Sequence, residues 1–137
     1  MAASLSSNVG RGLMAIDITG VVGTGNGGIG AVANPEGVDV MITRAFLYVK
    51  TASTGAATLT TGVAASATGA ASDIISALAV NGAIAGKYYN GQAQQVTAKT
   101  EVTAPTLWTA AKFINFTGSA DTTGLVATLF VEYIRTA

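Results

Sequence analysis

An all-β fold, an antiparallel β-sandwich or barrel of jelly-roll-like type, is predicted by three observations on this 137-residue chain. Runs rich in Val, Ile, Thr and aromatic residues recur at short spacing. Gly, Asn and Asp turn signals separate them. Helical periodicity is nearly absent. The length suits one domain with a single core, and we assign residues 1–12 to a flexible N-terminal arm and 13–137 to the domain.

The arm (MAASLSSNVGRG) is small, polar and aperiodic. Residues 13–22 (LMAIDITGVV) are β-branched and partly alternating, which predicts the first strand. Residues 23–30 (GTGNGGIG) form a loop, and Asn34, Pro35, Glu36 and Gly37 form a turn. The strongest strand signal covers residues 38–51. Strict alternation puts Val38, Val40, Ile42, Arg44, Phe46 and Tyr48 on one face. Met41, Thr43, Ala45, Leu47 and Val49 fall on the other. Neither face is cleanly polar, as expected inside a sandwich or at a subunit contact. Residues 57–64 (ATLTTGVA) read as a strand able to pair with it.

After a small-residue loop at 65–71, Ser72 or Asp73 can cap a short helix carrying Ile74, Ile75 and Leu78 and ended by Asn81 and Gly82. Tyr88, Tyr89, Asn90 and Gly91 place an aromatic pair on a turn. Residues 94–103 (QQVTAKTEVT) predict a Thr-rich strand, and residues 107–115 an apolar run around Trp108, Phe113 and Ile114. Residues 118–121 turn the chain, and 125–135 (LVATLFVEYIR) close it as a strand.

Only 10% of the residues are charged, against roughly 25% in ordinary soluble domains. Seven basic and seven acidic residues cancel, so electrostatic protection against self-association is weak. Such a surface suits packing against neighbours or a neutral coat. The basic residues form no cluster, which argues against nucleic acid as a partner. No stretch approaches the ~20 apolar residues that span a bilayer, and the start has neither a basic nor an apolar signal region. No membrane partner is expected.

Catalytic chemistry has little to work with. Histidine and cysteine are absent, which removes the usual nucleophile–base pairs and zinc sites. The acids Asp17, Glu36, Asp39, Asp73, Glu101, Asp121 and Glu132 are spread one per segment, and no spacing pairs them as a glycosidase requires. No cofactor is expected. Gly23, Gly25 and Gly28 match the letters of a dinucleotide fingerprint, but Asn34-Pro35 leaves no room for the helix it needs. Glu36 and Asp39 beside Asn34 are too few oxygen ligands for a calcium loop. Tyr88, Tyr89, Asn90 and Trp108 could form a sugar-binding platform, but a core tryptophan with tyrosines at a subunit contact is the favoured reading. Asn115-Phe116-Thr117 fits the letters of an N-glycosylation acceptor, a match read as chance because no signal sequence is visible.

The run MITRAFLYVKTASTGAATLTTGVAA at 41–65, with Asp73-Ile74-Ile75 and GLVATLFVEYI at 124–134, resembles capsid decoration (cement) proteins of tailed bacteriophages. The resemblance covers about three quarters of the chain. It implies a β-sandwich made in the host cytoplasm and carried on the outer capsid surface of the virion. There it would bind the major capsid protein and itself, as a homotrimer, and bridge capsid subunits. Candidate capsid or subunit contacts are Leu5, Arg11, Leu13, Phe46, Tyr48, Tyr88, Tyr89, Phe130 and Tyr133. The alternatives are a tail, fibre or baseplate component and a carbohydrate-binding module.

Overall fold

The structure, a computed structural model, describes residues 10–90 and 105–136, with the backbone alone for 88–90. Nine strands follow one another: β1 (Arg11–Thr19), β2 (Gly30–Ala33), β3 (Val40–Thr51), β4 (Thr58–Ala64), β5 (Ile75–Ala79), β6 (Lys87–Asn90), β7 (Thr106–Trp108), β8 (Phe113–Gly118) and β9 (Val126–Arg135). There is no helix among the described residues.

The clean alternation of the closing segment makes β9. Ala127, Leu129, Val131 and Tyr133 are buried, and their neighbours face the other way. β9 lies between β1 and β3, and β6 and β7 both line the far edge of β3. The second sheet runs β2-β8-β4-β5. Every pairing between these strands is antiparallel, and β1 takes β9, β2 takes β8, β3 takes β6 and β4 takes β5. The two sheets form a β-sandwich. Ile16, Leu47, Val49, Leu129 and Val131 from one meet Leu59, Ile75, Leu78, Ile114 and Phe116 from the other, with Trp108 fully buried among them.

β3 turns its side chains over midway. The register with β9 skips at Thr43, where a β-bulge inserts one residue whose hydroxyl donates to the Glu132 carbonyl. Val40 and Ile42 are buried before the bulge, and Leu47 and Val49 after it. The strict alternation expected for this strand therefore fails: Arg44, Phe46 and Tyr48 lie on the face opposite Val40 and Ile42.

The short helix after Ser72 or Asp73 is not formed. Its residues make β5, and the Asp73 carboxylate accepts the Val63 N–H in place of capping a helix. Two residues of β5, Ser76 and Ala77, oppose the single Thr60 of β4, and Ala77 takes a positive φ of 49°. That bulge brings Ile75 and Leu78 onto one buried face although they are three apart, a spacing that mimics a helix.

β4 does not pair with β3 but belongs to the other sheet. Residues 52–57 cross between the sheets, held by the Ser53 hydroxyl on the carbonyls of Gly55 and Val80. β1 begins at Arg11, two residues inside the segment assigned to the arm. The Gly-rich loop leads into β2 at Gly30, a strand unmarked by composition, so no helix follows the fingerprint letters. The strand expected at 94–103 lies outside the described residues.

Candidate functional site

The two outer faces of the sandwich differ in chemistry. On the β2-β8-β4-β5 sheet, Gly62, Ala64 and Asn115 are buried beneath the 65–73 segment. The Asn115 Nδ2 donates to the Ser66 and Gly69 carbonyls at 3.2 and 2.6 Å. The glycosylation letters thus fall on a 1% exposed side chain inside a strand. This part of the face is covered by the chain itself, while Thr58, Thr60 and Thr117 farther along it stay half-buried.

The outer face of the β1-β9-β3 sheet carries aromatic and apolar groups instead. The Thr43 bulge aims Arg44, Phe46 and Tyr48 outward, alternation in β9 presents Phe130 and Glu132, and β1 presents Arg11, Leu13, Ala15 and Asp17. Phe46 and Phe130 are direct cross-strand partners, their rings stacked with centroids 5.1 Å apart and planes at 22°. The Arg44 guanidinium lies 5.2 Å from the Phe46 ring centre, a cation–π contact. Leu13 is 66% exposed, and the Thr128 hydroxyl donates to Asp17 at 2.8 Å. Beside the bulge a depression of ≈ 360 Å³ is lined by Arg11, Leu13, Thr43, Glu132 and Ile134 among others. Apolar and aromatic surface mixed with single charges of both signs is the make-up of a protein–protein contact.

Of the contacts expected from sequence, Arg11, Leu13, Phe46, Tyr48 and Phe130 share this face. Tyr133 does not. It points inward, 7% exposed, with its ring passing where Gly12 has no Cβ. Its hydroxyl donates to Glu36 Oε1 at 2.5 Å, and the Arg135 Nε donates to Glu36 Oε2 at 2.7 Å. These two bonds, Tyr133 first, hold the Glu36 carboxyl below its ordinary range, and the hydrogen bond to Glu36, followed by burial, pushes the Tyr133 phenol up. Tyr88 and Tyr89 stand on β6 and not on a turn, in register with Tyr48 and Leu47. Leu5 lies outside the described residues.

The remaining candidates are occupied. Asp39 accepts the Ala110 N–H at 2.9 Å, and Glu36 is held as above. No three His, Cys, Asp or Glu residues converge as metal ligands among the described residues. Trp108 is in the core and donates its indole N–H to the Lys112 carbonyl, so it offers no sugar platform. Arg44 and Asp17 were not among the contacts expected from sequence; for Asp17, the apolar–polar alternation of Ile16, Asp17, Ile18 and Thr19 was the available signal. Compared with protein-family models, with curated proteins and with solved structures, the chain matches none.

Proposed function

We propose that the protein is a non-catalytic structural subunit that docks on the outer surface of an assembled phage capsid. It binds the major capsid protein through the outer face of the β1-β9-β3 sheet and bridges neighbouring shell subunits. The stacked Phe46–Phe130 pair on an otherwise weakly charged sheet carries this reading. A half-buried pair of large aromatics flanked by an arginine on an outer face resembles the small set of residues that dominates binding energy at contacts. The resemblance of residues 41–65 and 124–134 to decoration proteins supplies the partner, and the homotrimer it implies belongs to the same proposal.

The strand order supports a jelly-roll type within the sandwich class. With short β7 set aside, first pairs with last, second with second-to-last, and so on inward. That is the nesting of an eight-stranded hairpin rolled into two sheets, an architecture found among viral capsid and lectin domains. Fold likeness of this kind bears on architecture alone.

The test is attachment to particles of the source phage stripped of this protein. Phe130→Asp is expected to keep the wild-type circular dichroism and weaken attachment roughly thirtyfold, the effect of losing about 2 kcal/mol at one contact centre. Undiminished attachment of the folded variant contradicts the proposal.

A further inference from the structure

Among the described residues, β1 is the one long sheet edge that is neither short, bulged nor interrupted by proline, and its exposed charges, Arg11 and Asp17, are of opposite sign. Sheet edges are ordinarily shielded by lysine, proline, bulges or shortness. β2 and β6 have four residues each and β7 three, and β5 is bulged. β1 runs nine residues, RGLMAIDIT, without proline or lysine, in unbroken register with β9. Among the described residues it pairs with β9 alone.

The hydrogen-bond phase fixes which backbone groups are free. Arg135 N donates to the Gly10 carbonyl and Gly20 N to the Leu125 carbonyl. In an antiparallel ladder, bonded pairs alternate with unbonded ones. The even-numbered residues of β1 therefore bond to β9. The N–H and C=O groups of Arg11, Leu13, Ala15, Asp17 and Thr19 point to the open edge.

We infer that β1 pairs antiparallel with β1 of a second copy about a twofold axis at Met14, joining two five-stranded sheets into one. In that register Arg11 of each chain opposes Asp17 of the other, and Leu13 opposes Ala15. Every such pair is odd with odd, as the free backbone groups require, and together they make about eight inter-strand bonds. Moving the axis to Ala15 keeps the phase but sets Leu13 against Asp17 and leaves Arg11 facing Thr19. Charge complementarity selects Met14. The exposed Leu13 covers Ala15 of the neighbour, and the outer faces of both copies become continuous. A twofold contact has the same patch on both partners, and β1 meets that condition in charge and in phase. The inference rests on the fold and does not depend on capsid binding. It is compatible with a separate threefold contact, since an icosahedral shell has axes of both kinds.

Sedimentation equilibrium on the full chain tests it, at concentrations up to about 0.1 mM, where even weak pairing shows. The wild type is expected to form a dimer. Asp17→Arg sets like charges opposite each other twice and weakens association roughly tenfold. The Arg11→Asp, Asp17→Arg double variant restores it. Ala15→Pro removes an N–H that faces away from β9, so it abolishes the dimer while the melting temperature of the monomer is retained, as proline on an edge allows. A monomer throughout this range, or any oligomer indifferent to both Asp17→Arg and Ala15→Pro, overturns the inference.

Discussion

Thr61 is fully buried in β4, and its hydroxyl has no hydrogen-bond partner among the described residues. A buried hydroxyl without a partner gives up its hydration for nothing. Thr61→Val replaces it with a methyl of similar shape. It is expected to raise stability by about 1 kcal/mol, seen as a melting temperature higher by about 3 °C; an unchanged or lower value contradicts the account of that site. The cluster at the end of β9 behaves differently, because it titrates. The Glu36 carboxyl is lowered from its ordinary 4.5 by the Tyr133 hydroxyl and Arg135, so its contribution is complete above that value and fades as acid drives pH through the folded-state pKa. Tyr133 is raised from 10.0, so its contribution is complete below that value and fades as pH rises through the folded-state pKa. Denaturant titrations of wild type and Glu36→Gln should therefore differ most across the neutral range. The difference should narrow below pH 4.5 and again above pH 10.0.

At the scale of the element, the bulge at Thr43 decides which groups the sheet presents. Deleting Thr43 restores strict alternation, which turns either Leu47 and Val49 or Val40 and Ile42 out of the core. The expected result is loss of the cooperative thermal transition; a deletion variant that melts like the wild type contradicts the role given to the bulge. The same feature shows what was legible beforehand. β9 was readable because its alternation is unbroken from Ala127 to Tyr133. β3 was readable as a strand, but not in its faces, since no residue type marks an extra residue in a ladder. β5 was misread because its own bulge converts a two-residue period into the three-residue spacing of Ile75 and Leu78. β2 is four small residues in a Gly-rich setting, where composition carries no strand signal. For the site, Arg11, Leu13, Phe46, Tyr48 and Phe130 fall on one face, whereas Tyr133 turns inward, because its parity and its Glu36 partner appear only in the folded chain.

Across the whole molecule, low charge and face asymmetry point the same way. A chain with seven acids and seven bases has little repulsion to hold copies apart. One sheet is roofed in part by its own 65–73 segment, and the other carries half-buried stacked phenylalanines beside the exposed Arg44 and Leu13. An aromatic face on one side of the sandwich, next to a long edge strand, would suit the proposed subunit that lies on a surface and joins to a neighbour. The most direct test is a cryo-EM reconstruction of source-phage heads saturated with the protein. Density on the outer shell, with the Phe46–Phe130 face against the capsid protein, is expected. Density that presents this face to solvent, with the 65–73 side against the shell, would contradict the proposal.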